Sequence, residues 1–314
     1  MASLPFTIEP VELLGGINPE SATAPVFDAT WYSAGAVNDG LEYHVPPGAL
    51  GEAAWLTADM LLDGDESVVF LLELQEERDG PRFQLQFALL PQASARLRLP
   101  LRALSLSQAQ LPREGAWLKP GVHGDPVLPA SVNRLRLLVA TRGEQPTRWC
   151  MTPLVASAIE PLVLDQPVLP HGSLLDALGQ TALRSWSGKS EQQAEVSRRL
   201  QDQLLAAPAQ EWPRDFNEQG AWRRGGFEAS GWFRTHHDGR RWWLVAPDGN
   251  AFWSAGLNGL RASVETCITH MQDALNWTPD ASDFEFAAAR PPRPDPSPAA
   301  VLSAQLILPL AAHT

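Results

Sequence analysis

The chain has 314 residues, of which 44% are hydrophobic and 19% charged, and its formal net charge is −12. This balance is typical of a globular protein with enough apolar residues for a core, and the length favours about two domains. Nucleic acids and anionic membranes bind basic surfaces, so the negative charge argues against both as partners. The sequence has no apolar run of about 18 residues and therefore predicts no membrane-spanning helix.

The N-terminal stretch MASLPFTIEPVELLGG contains no basic segment, and Pro5 and Pro10 interrupt its apolar residues. A secretory signal needs a basic segment followed by a continuous apolar one. The sequence therefore predicts no signal peptide here, although a trimmed signal or a start site chosen too late would give the same pattern.

Residues 1–170 contain short strand-like runs and almost no helical periodicity. These runs are Trp55–Leu62, Ser67–Leu74, Arg82–Leu90, Ser94–Leu101, Val132–Thr141 and Arg148–Ser157. Within the fourth run, apolar and basic residues alternate, so that Leu97 and Leu99 face one way and Arg96 the other. Asp79-Gly80, between the second and third runs, is a hairpin signal. Short strands separated by Pro and Gly predict a mainly β fold, namely a β-sandwich.

A helix is predicted over Ser190–Ala207. Apolar residues recur about one helical turn apart from Val196 to Leu204, which predicts one apolar stripe. Ser190 with Gln193 matches a capping box, in which the two side chains satisfy free backbone N–H groups at the helix start.

The segment Gly231–Arg261, GWFRTHHDGRRWWLVAPDGNAFWSAGLNGLR, predicts a β-hairpin followed by an apolar strand. Its elements are the strands Gly231–His236 and Arg241–Val245, the turns Asp238-Gly239 and Pro247–Asn250, and the apolar run Ala251–Leu257. A continuous apolar run is typical of a buried parallel strand, and a helix is predicted to follow at Thr266–Trp277. A parallel strand followed by a helix would be the beginning of a (β/α)8 barrel.

The residues after Arg261 are far fewer than the roughly 250 that such a barrel needs. Residues 290–314 begin with the Pro-rich stretch PPRPDPSP and end in an apolar stretch. We therefore expect an incomplete barrel that is truncated near Ala289, followed by a tail that is disordered or read in a different frame.

The segment Gly231–Arg261 resembles the domain junction of glycoside hydrolase family 50, the β-agarases. The matching residues are Gly231–Arg234, Asp238-Gly239, Trp242–Val245, Pro247–Gly249 and Ser254–Arg261, with weaker similarity at Ser185–Lys189, Asp273–Pro279 and Phe83–Leu101. Ala246 departs from the pattern, because the family tends to have Asp at that position. The resemblance implies a jelly-roll-like, carbohydrate-binding-like sandwich before a catalytic (β/α)8 barrel.

The resemblance also implies an activity. Enzymes of this family hydrolyse β-1,4 linkages of agarose-type galactans with retention, using two glutamates on the fourth and seventh barrel strands and no organic cofactor. Retaining glycosidases hold such carboxylates about 5–5.5 Å apart. The predicted barrel start does not include these strands, so we assign no catalytic residue and no metal ligand. The family is commonly exported, which leaves a periplasmic or extracellular parent protein open.

Five residues are candidates for sugar binding. Asn258 and Arg261 follow the first predicted barrel strand, at the rim where barrel substrates bind. Trp31, Trp55 and Trp117 are candidates for stacking against the C–H face of a pyranose ring. The alternative for the tryptophans is burial in the core, which we expect for at least two of the three.

Two residue pairs resemble functional sites, but neither is interpreted as one. Asn217-Glu218 has the residue order of the acid/base in related glycosidases, but it precedes the first predicted barrel strand and is better interpreted as a solvated linker. Adjacent residues of a strand point to opposite faces, so His236-His237 is not expected to hold one metal ion. Cys150 and Cys267 lie far apart and are expected to be free or buried thiols.

Glu73, Glu76, Glu77 and Asp79 crowd the end of one predicted hairpin. Carboxylate oxygens suit Ca²⁺, so a calcium site is conceivable. A charged, solvated hairpin end is the commoner meaning of such a cluster.

These observations lead to four predicted segments: a sandwich at 1–170, a helical linker at 171–230, a truncated barrel start at 231–289 and a tail at 290–314. The favoured hypothesis is the N-terminal portion of a β-agarase-like hydrolase that binds a polysaccharide or oligosaccharide and is inactive alone. The alternatives are a stand-alone carbohydrate-binding module and an unstable product of a frameshifted gene.

Overall fold

A computed structural model describes most of the chain. The described residues are 3–76, 79–107, 111, 117–141, 145–165, 172–256, 270–277 and 282, with the backbone alone at 118–119, 263–267 and 301–305. The chain divides into two compact units, one of residues 1–189 with 263–314 and one of residues 190–262. The four segment boundaries inferred from the sequence stay predictions.

The first unit is mainly β. Its strands in chain order are β1 (Phe6–Ile8), β2 (Pro10–Leu14), β3 (Asn18–Glu20), β4 (Thr30–Ala34), β5 (Gly40–His44), β6 (Trp55–Leu62), β7 (Val68–Gln75), β8 (Arg82–Leu89), β9 (Ser94–Pro100), β10 (Trp117–Gly124), β11 (Arg134–Val139), β12 (Thr147–Met151) and β13 (Leu154–Ser157). Six strands form one antiparallel sheet in the order β10-β8-β7-β11-β5-β2, which we call the second sheet. The first sheet has the order β1-β13-β6-β12-β4-β3, with β9 also paired to β6.

β6 is the central strand of the first sheet. β9 pairs along its whole length, while β12 and β13 pair with its two halves in succession. The predicted run Arg148–Ser157 is therefore two strands, which are separated at Thr152-Pro153. Proline cannot donate a ladder hydrogen bond, and here the Thr152 hydroxyl instead accepts a hydrogen bond from the Asp59 N–H at 2.9 Å.

The core lies between the two sheets. Trp149 of the first sheet meets Phe70 of the second, with ring centroids 5.3 Å apart and planes inclined by 69°. The Tyr43 hydroxyl donates to the Met151 sulfur across the same core at 3.7 Å. Alternating strand residues supply this core, because every second side chain of a half-buried strand faces inward. The mainly β architecture predicted for this part of the chain is confirmed.

The second unit contains α1 (Gln193–Ala206) and a small antiparallel sheet. Its strands are β14 (Ala221–Trp222), β15 (Arg234–His237), β16 (Trp242–Val245) and β17 (Ala251–Phe252), in the order β14-β17-β16-β15. The predicted helix is confirmed within a few residues at its N-terminal end. Its 14 residues fall short of the roughly 20 that cross a bilayer, and no described helix is long and apolar enough to do so.

The residue at the N-cap of α1 is Gln192 and not the predicted Ser190, and the Gln192 side chain makes no capping hydrogen bond. The Ser190 hydroxyl accepts a hydrogen bond from Arg199 at 3.2 Å, and the Glu195 carboxylate accepts one from the Glu191 N–H at 3.0 Å. No residue of α1 is buried, so the predicted apolar stripe from Val196 to Leu204 is not covered by other described residues.

The prediction of a parallel strand at Ala251–Leu257 was wrong. β17 is short and pairs antiparallel with both β16 and β14. The reason is the turn before it, in which the Gly249 N–H reaches the Ala246 carbonyl at 2.9 Å. A tight turn joins antiparallel neighbours, whereas a parallel pair needs a crossover of about a dozen residues. Gly249 has a φ of +84°, and a Cβ there would lie 2.3 Å from the Phe227 carbonyl oxygen, so only glycine fits.

The helix predicted at Thr266–Trp277 was also wrong. β18 (Ser263–Cys267) pairs antiparallel with β19 (Val301–Gln305), and only a single 3-10 turn forms at Gln272–Ala274. His270 has a φ of +57°, in the left-handed region that a right-handed helix excludes. The predicted barrel start is not seen among the described residues.

A leucine-to-alanine substitution is predicted to lower the stability much more in the core than on the surface. Leu72 of β7 is fully buried between the sheets, whereas Leu162 is 81% exposed. Leu72→Ala is expected to lower the free energy of unfolding by about 2–5 kcal/mol, because it leaves a cavity. Leu162→Ala is expected to change it by no more than about 0.5 kcal/mol. Urea denaturation of both variants checks this, and equal effects would contradict the described core.

Candidate functional site

The tryptophans fall into two groups, one buried and the other at least partly exposed. Those of the two-sheet unit up to residue 149 are buried, namely Trp31, Trp55, Trp117 and Trp149. All later ones are at least partly exposed, namely Trp186, Trp212, Trp222, Trp232, Trp242, Trp243, Trp253 and Trp277. The candidates for sugar stacking chosen from the sequence therefore all belong to the buried group, and their surroundings decide what each can do.

Trp117 lies in the core between the sheets. It is 1% exposed and meets Phe87 edge to face, with ring centroids 6.0 Å apart. Its indole N–H has no hydrogen-bond partner among the described residues. Neither face of this ring is open to a ligand in this structure.

Trp31 and Trp55 occupy a different place, the outer face of the first sheet. Leu56 belongs to the main core, and neighbouring strand residues point to opposite faces, so Trp55 points outward. Trp31 packs with Leu61 and Cys150 in a small cluster separate from the main core. The two rings are 5% and 7% exposed, respectively, although they lie on the solvent side of the sheet.

Arginine side chains cover both outer-face rings. The guanidinium of Arg148 lies 3.9 Å from the Trp31 ring centroid. Those of Arg98 and Arg102 lie 5.6 and 5.7 Å from the Trp55 centroid. A guanidinium over an aromatic face is an attractive cation–π contact. Charged side chains thus cover the outer face of this sheet, together with Ala24, Phe27 and Ala29, which pack against the Trp31 cluster.

Carboxylates hold the Arg148 cover in place. Its guanidinium donates to Glu20 at 2.9 Å and to Asp63 at 2.6 Å. Burial by itself raises the pKa of Asp63, but hydrogen bonds from Arg148, the Gly64 N–H and Gln92 outweigh it, so the pKa lies below its ordinary value. Asp63 therefore stays charged at neutral pH beside Arg148.

The other two candidates, Asn258 and Arg261, lie outside the described residues. Asn217, beside Glu218, organises a turn: its side-chain oxygen accepts hydrogen bonds from the Gln219 and Ala221 N–H groups, and its amide donates to Asp248 at 2.6 Å. The exposed Glu218 side chain agrees with the interpretation as a solvated linker.

The histidine pair occupies opposite faces of β15. His236 packs on Phe227 and His237 on Trp242, each with centroids 5.0 Å apart. The expectation that they do not share an ion is consistent with this geometry. Within the described ranges, no three His, Cys, Asp or Glu side chains come together as a metal site. The thiol of Cys150 is free and buried, and burial raises its pKa to about 11.

The acidic residues at the hairpin end do not share one site, because each described one has its own surroundings. Glu73 is held by Arg136 at 2.5 Å, by Arg82 at 3.3 Å and by Gln84 at 2.8 Å. Glu76 accepts a hydrogen bond from the Leu128 N–H, Asp79 is exposed, and Glu77 lies outside the described residues. The Glu73 carboxylate is thus paired with two arginines.

A second buried carboxylate on the same sheet was missed by sequence reasoning. Glu42 accepts from Arg134 at 2.5 Å and contacts His44 at 2.9 Å. The Arg134 hydrogen bond lowers the pKa of Glu42, and the same bond raises the pKa of Arg134. The charged residues stand at alternate positions of their strands, a signal visible in the sequence. Only the strand register, which places Arg136 opposite both Glu42 and Glu73, shows that they form pairs.

No family model and no curated protein match this chain. Among solved structures, the chain is similar to the agarase AgWH50C, with 14% identity and a TM-score of 0.37, over 92% of this chain and 45% of that one. An exo-β-agarase matches with 16% identity and a TM-score of 0.38, over 90% and 46% of the two chains. PfGH50B matches with 17% identity and a TM-score of 0.35, over 87% and 44%.

The chain thus spans less than half the length of these solved structures. Likeness at these TM-scores and identities does not define the function of this chain.

The Glu42–Arg134 pair predicts a pH-dependent stability. Because the folded pKa of Glu42 lies below its ordinary value of 4.5, its contribution is complete above that value and is lost as the pH falls through the folded pKa. Glu42→Gln is expected to cost about 1–3 kcal/mol near pH 5.5 and distinctly less near pH 3. Urea denaturation at the two pH values measures the difference, and a cost independent of pH would contradict the ion pair.

Proposed function

We propose that this chain corresponds to an N-terminal portion of a glycoside hydrolase resembling the family 50 β-agarases. In this proposal the first unit is a jelly-roll-like, carbohydrate-binding-like sandwich that binds agarose-type galactans. Residues 231–289 correspond in sequence to the beginning of the catalytic barrel. The complete enzyme would hydrolyse β-1,4 linkages with retention of configuration and without an organic cofactor.

The observation that carries the proposal is the junction segment Gly231–Arg261. Its residues match the family pattern in several consecutive blocks, and the chain forms a hairpin and a second turn at the positions that the pattern implies. Asp238 holds the hairpin turn, because its carboxylate accepts from the Trp243 indole at 2.6 Å and from the Arg240 and Arg241 N–H groups at 2.8 Å. These bonds, led by that of Trp243, hold the pKa of Asp238 far below its ordinary value.

The same chain is proposed to lack hydrolytic activity by itself. A retaining glycosidase needs two carboxyl groups about 5–5.5 Å apart, and the acid of the pair has a raised pKa. One cleft is lined by two carboxylates, Asp65 and Glu66, of which Glu66 is paired with Arg184, and another cleft is lined by a single carboxylate, Glu76. The carboxyl groups whose pKa the described structure clearly shifts are all shifted down, namely Asp39, Glu42, Asp63, Asp176, Asp238 and Asp248. None of these carboxyl groups therefore has the raised pKa that the acid of such a pair needs.

The proposal predicts binding without turnover. In native electrophoresis, the 314-residue chain is expected to migrate more slowly through polyacrylamide that contains agarose than through polyacrylamide that contains dextran. Incubation with agarose is expected to release no reducing sugar above the level of a protein-free control. Release of reducing sugar would contradict the absence of activity, and equal migration in both gels would contradict galactan binding.

A further inference from the structure

The small sheet of the second unit has one face that is rich in exposed aromatic rings. Across β15 and β16 the register pairs Thr235 with Leu244 and His237 with Trp242. Residues directly opposite each other in an antiparallel pair share a face, and so does every second residue of a strand. Two phenylalanine rings whose centroids lie 4.8 Å apart extend this face toward β17. We call it the aromatic face, and its members are Phe233, Thr235, His237, Trp242, Leu244 and Phe252.

The large side chains of the aromatic face are open to solvent. The exposed fractions are 72% for Trp242, 58% for Phe233 and 46% for Leu244. On the opposite face of the same sheet, the Phe227 ring packs against that of Trp243, with centroids 5.7 Å apart. A contiguous apolar patch that stays exposed marks a place where a ligand or partner binds. The aromatic face is therefore a candidate for recognition, and its opposite face is not.

Two polar groups lie among the exposed rings. The Thr235 side chain is exposed at the centre of the aromatic face. The Gly239 N–H donates to His237 Nδ1 at 3.2 Å, which places the proton of the neutral imidazole on Nε2. The same imidazole meets the Trp242 ring edge to face, with centroids 5.0 Å apart, and so limits the rotation of the indole. A pyranose needs this combination, since its C–H face is apolar and its hydroxyl groups need donors and acceptors.

The charges around the aromatic face favour an uncharged ligand. No member of the face carries a carboxylate, an ammonium or a guanidinium group. The Asp238 carboxylate in the adjoining turn already accepts three hydrogen bonds from its own hairpin. The whole chain has a net charge of −12, so a second copy of it or an anionic membrane would be repelled. A galactan of the agarose type is uncharged and meets no such repulsion.

The length of the aromatic face suits a polymer. Trp242 lies opposite His237, which follows Phe233 by four residues. Four residues of an antiparallel strand span about 14 Å. The exposed rings at the two ends of the face are thus far enough apart for more than one sugar ring to lie between them.

We propose that the aromatic face is a galactan-binding surface, on which the Trp242 ring stacks against a pyranose while Thr235 and His237 hydrogen-bond to its hydroxyl groups. The inference rests on the proposed function, because it takes the class of ligand from it. It adds a binding surface outside the sandwich and names the ring that makes the main contact.

The test uses the full chain as wild type and with the single substitutions Trp242→Ala, Trp242→Phe, Thr235→Glu and Trp222→Ala. Dissociation constants are measured from retardation in native polyacrylamide that contains graded amounts of agarose, with dextran gels as the reference. Trp222→Ala is the matched control, because Trp222 lies opposite Ala251, whose neighbour Phe252 belongs to the aromatic face. Trp222 thus points to the other side of the same sheet. Circular dichroism and thermal unfolding establish that each variant is folded, and sedimentation velocity gives its oligomeric state.

The variants are expected to differ in agarose binding according to the face that they change. Trp242→Ala weakens binding at least about fivefold, because two surfaces on one chain hold a polymer more tightly than one. Trp242→Phe keeps a ring and stays within about threefold of wild type. Thr235→Glu places a longer, charged side chain in the middle of the face and weakens binding at least about fivefold, whereas Trp222→Ala stays within about twofold.

Several outcomes overturn the inference. Retardation that is unchanged in Trp242→Ala, or reduced equally in Trp222→Ala, excludes this surface and leaves galactan binding to the sandwich. Absence of retardation in the wild type removes the proposed function and the inference together. A wild type that sediments as a dimer, with Trp242→Ala as a monomer, identifies a second copy of the chain as the occupant and rejects the galactan.

Two variants keep the test decisive. A Trp242→Phe variant that binds as weakly as Trp242→Ala rejects ring stacking. Where Trp242→Ala is unfolded, Thr235→Glu decides: weaker binding than wild type supports the aromatic face, and unchanged binding rejects it.

Discussion

A sheet has two faces, and the structure of the first unit follows from how the chain covers both faces of the first sheet. The inner face packs against the second sheet through large apolar rings such as Trp149 and Phe70. The outer face carries Trp31 and Trp55, which are buried outside the main core. Arginine side chains cover both rings, because a guanidinium is flat, weakly hydrated and able to lie on a ring while it donates hydrogen bonds at its edge.

The same residue type also pairs with buried and half-buried acidic groups. Arg96 donates to Asp59 through two nitrogens, at 2.6 and 2.8 Å, on the first sheet. On the second sheet, Arg134 and Arg136 neutralise Glu42 and Glu73. A buried carboxylate without a partner would be costly, whereas a paired one fixes the register of its strand. The negative net charge of the chain therefore does not prevent dense pairing within the sandwich.

The covers of the two outer-face rings differ in how they are anchored. Over Trp31, the Arg148 guanidinium is held by two carboxylates. Over Trp55, Arg98 is paired with Glu160, whereas Arg102 is exposed and has no carboxylate partner among the described residues. The two rings are almost equally buried, so the difference between them lies in the charged groups around them.

Much of the sandwich could be predicted from the sequence, because strand alternation is a local property. The run Ser94–Leu101 shows this, since Leu97 and Leu99 are buried as expected while Arg96 faces outward to Asp59. The hairpin at Asp238-Gly239 is equally local, because the dipeptide defines its own turn. The direction of β17 was predicted wrongly, although the short turn before it already excluded a parallel pair.

Only part of the candidate site could be predicted from the sequence. Its composition placed Trp55 among the possible stacking residues, but no spacing along the chain showed that Arg102 lies over that ring or that Glu20 and Asp63 restrain Arg148. Strand positions and turns were determined by residues close in sequence, since alternation and backbone conformation depend on near neighbours. The covers, ion pairs and cleft join residues far apart in the chain, so only the tertiary structure decided which of them meet.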